Sequence, residues 1–416
     1  LPDREERVAG GGLLHRRALL VAGAASAGGL VTGVGAATGA RSPASMLEPG
    51  APLSGYGARA RSSEAIQRIV PDLPFPGTGS SRTPLQLLEG TITPNDLHFE
   101  RHHNGIPDID PATHELLIHG LVRQPLQFRY EDLLRYPRES RILFLECSGN
   151  SGAMNAAQPV QASAGVLNGL LSGAEYTGVR LAALLDEAGI APGARWVQAE
   201  GADAAGMTRS IPLSIAQDDA MIALFQNGEP LRPAQGFPMR LLLPGIEGNA
   251  SVKWLRRLKV MEAPAFSREE TSRYTDLRAD GKAEMFSLRM GVKSIILRPS
   301  FGLDLRGAGY QEISGLAWSG RGRIRKVEVS ADGGASWAEA ALGDPVLPKA
   351  LTRFRMPWRW EGAPAILMSR ATDETGAIQP LRAAWLAKYG AGQGYHGNVV
   401  QSWGVDTQGK IAHVYA

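Results

Sequence analysis

Cys147 is the only cysteine in 416 residues. It ends the apolar run Arg141-Ile142-Leu143-Phe144-Leu145-Glu146-Cys147 and opens the polar loop Ser148-Gly149-Asn150-Ser151-Gly152. One thiol cannot close an internal disulfide, and exported proteins usually pair their cysteines or lack them. A cysteine opening a loop at the end of a core strand is well placed to bind something, whereas a thiol sunk in an apolar core is inert. Taken alone, Cys147 is compatible with both.

Several other chemistries find no support in the chain. There is no Cys-x-x-Cys-His, so this chain attaches no c-type haem, and no Walker or Gly-x-Ser-x-Gly motif is present; the lone Gly-x-Gly-x-x-Gly spacing at residues 392–397 is too weak by itself to mark a dinucleotide site. His102, His103, His114 and His119 lie close in sequence but not in a zinc frame. The Asp332-Gly333-Gly334 stretch lacks the repeated acidic ligands of a calcium loop and reads as a hairpin turn. The formal net charge is +3, with both signs interspersed, which is no footprint for nucleic acid.

The elements that must position Cys147 follow from composition and pattern. A chain of this length needs more than one core. Gly 50 and Pro 27 favour strands and loops over a helical bundle. Arg16-Arg17 precedes a weakly apolar, small-residue stretch with the form of a twin-arginine export signal, and cleavage is expected near Ala40. That stretch is long enough to span a membrane, but its many Gly and Ala residues favour a leader over a stable anchor. Residues 1–40 are therefore assigned to the signal and residues 41–90 to a loosely packed Ser/Gly/Pro/Arg-rich extension. Leu181, Leu184, Leu185 and Ala188 share one helical face, with Gly189 as the stop. Arg240–Leu243 and Trp254–Val260 are further apolar runs of a mixed α+β domain over residues 91–284. From residue 285 to 416 short strands dominate: Val327 and Val329 alternate with polar residues, and Ile366–Ala371 and Lys410–Tyr415 are bounded by turns. This is the pattern of an immunoglobulin-like β-sandwich.

An ordered set of motifs accompanies Cys147. Thr93-Pro94-Asn95 and Arg101-His102-His103-Asn104-Gly105-Ile106-Pro107 precede it. Glu200-Gly201-Ala202-Asp203, Ser210-Ile211-Pro212-Leu213, Asn227-Gly228-Glu229-Pro230-Leu231 and Gln235-Gly236-Phe237-Pro238-Met239-Arg240 follow, then Ser251-Val252-Lys253-Trp254-Leu255. In order and spacing the set resembles the molybdopterin enzymes of the sulfite oxidase family. Ala317-Trp318-Ser319-Gly320 and Asp332-Gly333-Gly334-Ala335-Ser336-Trp337 resemble that family's dimerisation domain. The likeness runs from about residue 85 to the C-terminus.

The resemblance implies a molybdenum–molybdopterin cofactor with Cys147 as the protein's thiolate ligand to the metal. Arg240, Lys253 and His103 would hold the anionic pterin phosphate, Asp203 would accept from pterin N–H groups, and Ser251 would sit in the same wall. Arg101 and Tyr274 would face the substrate, a guanidinium attracting an oxyanion and a phenol donating to the reacting oxygen. Gln235 stands where sulfite oxidases carry a histidine, Tyr176 where they carry a tryptophan, and Ser402-Trp403-Gly404-Val405 lacks the His-Arg that follows their tryptophan. These departures, with Glu247-Gly248-Asn249-Ala250 and Tyr274-Thr275-Asp276-Leu277, resemble the molybdenum subunits of sulfane dehydrogenases of the thiosulfate-oxidising (Sox) system. That branch implies a periplasmic enzyme oxidising sulfane sulfur held on a cysteine of a carrier protein. Water supplies the oxygen, electrons pass to a separate cytochrome c subunit, and the chain forms a homodimer within a hetero-oligomer. The competing readings are a periplasmic dehydrogenase for free sulfite, a reductase running oxygen transfer backwards, and a binding protein that has lost its cofactor.

Overall fold

In the strand Arg138–Glu146, side chains alternate between two faces, and that alternation decides what surrounds Cys147. Leu143, Leu145 and Cys147 pack into one apolar cluster, while Phe144 joins the core of the C-terminal sandwich. The computed structural model describes residues 7–15, 43–71, 77–391 and 395–416, so Arg16-Arg17 and the expected cleavage position near Ala40 lie outside the described residues.

An antiparallel sheet and a mixed sheet build most of the N-terminal domain. In the first, Arg138–Glu146 pairs with Leu171–Arg180, which pairs with Met221–Gln226, and Arg240–Leu242 joins the far side. In the second, Leu255–Met261 lies at the centre, parallel to Glu115–Gly120 and antiparallel to Trp196–Gly201. The helix Leu181–Ala188 buries Leu181, Leu184, Leu185 and Ala188 between these layers and stops at Gly189, whose φ of 70° suits glycine. The two apolar runs noted in the sequence form strands, at Arg240–Leu242 and Leu255–Met261.

The C-terminal domain is a two-sheet sandwich. Lys293–Arg298, Gly309–Trp318 and Thr352–Trp360 form one sheet with Ala341–Leu342. Ile324–Ser330, Ala365–Asp373, Ser402–Val405 and Ile411–Val414 form the other with Ala338–Glu339. Asp332-Gly333-Gly334 is the turn the sequence indicated, with φ of 71° and 91° at its glycines. The extension is shorter than assigned. Gly79–Ser81 already pairs with Glu100–His102, and Thr83 and Leu85 are buried, so packing begins about ten residues before residue 90. Among the described residues no helix is long and apolar enough to cross a membrane.

Charge and hydrogen bonds lock the two domains together beside Cys147. Glu146, 1% exposed, faces Lys293 of the sandwich at 3.2 Å and accepts from Trp318 Nε1 at 2.6 Å and Asn150 Nδ2 at 2.9 Å. Lys293 also donates to Ser151 Oγ at 2.5 Å. Removing one partner of such a pair leaves the other charge buried and uncompensated. Lys293→Met is therefore expected to lower unfolding free energy by about 3–5 kcal/mol, whereas Lys293→Met with Glu146→Gln costs less than the single change. Denaturant titration of both variants checks this.

Candidate active site

The eight residues singled out from the sequence line one cavity: Arg101, His103, Cys147, Asp203, Arg240, Ser251, Lys253 and Tyr274. Strand ends and loops of both N-terminal sheets deliver them. Cys147 follows the strand end, its N–H donating to Leu170 O at 3.0 Å, and its side chain keeps some surface open to the cavity. Gly248 allows the opposite wall to close on it, since a Cβ there would lie 2.8 Å from Glu146 O. Burial pushes the Cys147 thiol above its ordinary pKa, opposed by the Gly149 backbone hydrogen bond and the Arg101 charge. A free thiol here is protonated at neutral pH, so coordination to a cation is what would hold it as thiolate.

Arg240 is buried, donating from Nη1 to Gln235 O at 3.0 Å and from Nη2 to Ser251 O at 2.9 Å. Lys253 Nζ lies within 3.2 Å of Arg101 O, 3.0 Å of Ala234 O and 2.9 Å of His102 Nδ1, and 4.4 Å from the centre of the Trp254 ring. Asp203 accepts from Met207 N at 3.2 Å, and Ser251 Oγ accepts from Leu243 N at 3.0 Å. On the outer side, Tyr274 OH and His103 Nε2 are 3.1 Å apart. Burial, reinforced by the Arg101 and Arg273 charges, pulls the His103 imidazole down to about 4, so it is neutral at pH 7. It can exchange hydrogen bonds but does not add the positive charge expected of a phosphate ligand. Burial likewise raises the Tyr274 phenol, with the Cys147 charge adding to it, so the phenol keeps its proton.

Residues 103–269 match the family described as oxidoreductase molybdopterin binding domain, and residues 284–402 match the Mo-co oxidoreductase dimerisation domain. The chain is 31% identical over 338 residues to mitochondrial sulfite oxidase of Mus musculus, covering 75% of this chain and 61% of that protein. It is 30% identical to the sulfite oxidase of Gallus gallus, covering 75% of this chain and 72% of that one. The crystal structure of the sulfane dehydrogenase SoxCD from Paracoccus pantotrophus superposes with a TM-score of 0.86 at 42% identity, covering 89% of this chain and 96% of that chain. The chain belongs to the sulfite oxidase family of molybdopterin oxidoreductases. It spans about three-fifths of the mammalian sulfite oxidases it matches.

The cavity fits the family's cofactor. Among the described residues the buried Nε of Arg240 has no partner, and it lines the cavity with a second basic group, the half-buried Lys253, whose ammonium pKa desolvation pushes well below the ordinary lysine range. An orphaned donor in a cationic wall suits a bound anion. Gly236, at φ 109°, lets the backbone approach that wall, since a Cβ there would lie 3.1 Å from Lys253 and 3.2 Å from Arg240. The cavity thus combines a soft ligand, cations and the acceptor Asp203, which are the groups a metal–dithiolene pterin phosphate needs.

Two sequence departures sit at or near this cavity and one does not. Gln235 lines it, donating to Phe99 O at 3.0 Å. Tyr176 is fully buried behind it, its OH 3.1 Å from His98 Nε2. Ser402–Val405 is a sandwich strand, and Trp403 Nε1 donates to Ile296 O at 3.1 Å. Gly404 and Val405 line a separate cleft of the sandwich, so the residues after Trp403 neither supply nor withhold a cation here.

Sequence reasoning missed a buried charge network under the cavity. Arg209, 1% exposed, donates to Glu247 at 2.8 Å and lies 3.8 Å from Glu270. His396 stands 3.3 Å from Glu247 and 2.7 Å from Asp276. Glu247 and Asp276 lay within motifs already singled out, but no signal near His396 pairs it with them. Burial opposes charging His396, yet the hydrogen bonds and charges of Asp276 and Glu247 outweigh it and raise its pKa to about 10 from 6.5. The imidazolium's contribution to stability is thus fully present below about pH 6.5 and is lost as pH rises through about 10. The stability difference between wild type and His396→Gln is expected to shrink steadily over that interval. Urea unfolding of both proteins at several pH values reads it.

Proposed function

We propose that this chain is the molybdenum-bearing catalytic subunit of a sulfane dehydrogenase. It oxidises a sulfane sulfur carried on a cysteine of a carrier protein and passes electrons to a cytochrome c subunit. The observation that carries this reading is the 42% identity over 96% of a sulfane dehydrogenase chain, against 30–32% for the curated sulfite oxidases. Periplasmic localisation by the twin-arginine route and a homodimer through the sandwich complete the proposal. The first rests on Arg16-Arg17 and the small-residue stretch after it, the second on the dimerisation-domain match.

When bound, the molybdenum centre would supply two-electron redox chemistry and exchange of oxygen between water and the substrate sulfur. The chain's own residues do the rest. Cys147 would ligate the metal, and Arg240 and Lys253 would provide the positive field for the pterin phosphate. Lys253 already has three protein acceptors, so the unpartnered Nε of Arg240 is the freer donor. Asp203 would accept from the pterin. Arg101, whose Nη1 donates to Gly79 O and His102 O, is itself held in place to face negative charge building on the oxidised sulfur. The protonated Tyr274 phenol and neutral His103 form a pair that can donate to, or take a proton from, the reacting oxygen. Phe99, Leu145, Met207 and Trp254 give the cavity apolar walls, which strengthens each of these interactions.

Metal analysis of the purified holoenzyme is expected to find about one molybdenum per chain, and Cys147→Ser to lose most of it. Turnover with cytochrome c should be rapid on a carrier protein loaded with sulfane sulfur and slow on free sulfite. Fast turnover on free sulfite would make the chain a sulfite dehydrogenase instead. Tyr274→Phe is expected to lower kcat about 10²-fold, the scale for removing one donor to a developing negative charge, with metal content unchanged.

A further inference from the structure

We propose that His396 is a positioning residue for the reaction, fixing Tyr274 relative to Cys147 through a strap the sandwich sends back beneath the cavity. This rests on the reading that Cys147 and Tyr274 are the metal ligand and the substrate-side donor. The strap is the segment 395–401, which leads into the strand Ser402–Val405.

Its first grip is on the cysteine loop. His396 N donates to Ser148 O at 2.8 Å, one residue beyond Cys147. Gly397 runs along the same loop, and a Cβ there would lie 3.5 Å from Asn150 O and Ser151 O. A second grip, through the imidazole, is on the tyrosine segment. His396 Nδ1 lies 2.7 Å from Asp276 Oδ2, two residues after Tyr274, and 3.2 Å from Ser287 Oγ.

The third grip is on Glu247, 3.3 Å from Nε2. Glu247 accepts from Arg209 at 2.8 Å, and the Arg209 guanidinium stands 5.2 Å from the centre of the Tyr274 ring. Glu247 also accepts at 2.9 Å from Asn249, which donates to Ser148 Oγ at 2.9 Å and lines the cavity. Beside His396, the Tyr395 ring packs 5.3 Å from the Tyr274 ring.

Tyr274 needs such support. Its φ of 51° lies in the left-handed region, which costs energy for a residue with a Cβ and persists only where the surroundings enforce it. Arg209 and Tyr395 contact the ring, Asp276 anchors the following backbone, and His396 bridges these contacts to the cysteine loop. His396 lines a different cleft from the catalytic cavity, so it acts through its neighbours and not on substrate. The two carboxylates facing it keep the imidazole cationic, and that charge is what the bridge requires.

The test uses the holoenzyme and three variants: His396→Gln, Tyr395→Leu and Tyr274→Phe. A displacement of about 1 Å at a reacting group costs on the order of 10²-fold in rate. His396→Gln is expected to retain molybdenum, to lose about 10- to 100-fold in kcat, and to change KM by less than about 3-fold. Hydrogen exchange should quicken at residues 147–150 and 272–277 while the sandwich strands keep their protection. If His396→Gln does not fold or load metal, Tyr395→Leu decides, since it removes the ring contact without touching the buried charges. The expectation there is a smaller kcat loss with the same local exchange at 272–277. Wild-type kcat and exchange in the folded variants, with Tyr274→Phe impaired, would overturn the positioning role. An unimpaired Tyr274→Phe would overturn the reading of Tyr274 beneath it.

Discussion

The buried pair between Glu146 and Lys293 is the constraint on which the rest of the site depends. Period-two alternation in the strand Arg138–Glu146 turns Leu143, Leu145 and Cys147 toward the catalytic domain's apolar cluster. The same alternation necessarily turns Glu146 toward the sandwich. A carboxylate with 1% exposure is tolerable only if its charge is matched, and Lys293, Trp318 and Asn150 match it. The residue immediately before the sole thiol is thereby pinned to a different domain. Beyond the thiol, Ser151 donates to Asn168 at 2.5 Å, and Asn168 donates to Gln401 of the sandwich at 2.9 Å. Both ends of the cysteine loop are therefore held across the domain boundary.

Electrostatics in the cavity follow a second logic. Arg240 is buried and Lys253 half-buried, and each donates to two backbone carbonyls, which fixes their positions before any ligand arrives. The unpartnered Nε of Arg240 leaves the cluster a donor for an anion. On the outer side burial and neighbouring arginines keep His103 neutral, and burial keeps Tyr274 protonated, beside the Arg101 guanidinium. The proposed cofactor wall and the proposed substrate-side residues thus share one cavity.

Much of this was legible in the chain. Helical and strand periods located Leu181–Ala188 and the sandwich strands, because one buried face writes itself into local spacing. The ordered motifs marked seven of the eight singled-out residues and the family likeness added Tyr274; all eight line the cavity. What stayed hidden was long-range pairing. Lys293 lies 147 positions from Glu146, and His396 lies 120 from Asp276, so no local pattern ties either to its partner. The Ser402–Val405 departure helped mark the branch, but its distance from the site in space could not be read from its place in a motif. The extension's boundary shifted because Gly79–Ser81 is ordered by a partner strand and not by its own composition.

Buried ion pairs rarely repay their desolvation as well as apolar packing would, so their retention calls for a reason other than stability. Here the charged groups share one property, which is where they stand. Glu146 precedes the thiol, His396 binds the carbonyl one residue after it, and Glu247 sits one residue from Gly248, whose backbone closes against the thiol's own peptide. Apolar replacements could fill the same volumes but would fix no direction at a loop rich in Gly and Ser. Directional, charge-assisted contacts from the sandwich hold that loop to a single geometry. The sandwich thus holds the cysteine loop as well as being the segment matched to dimerisation.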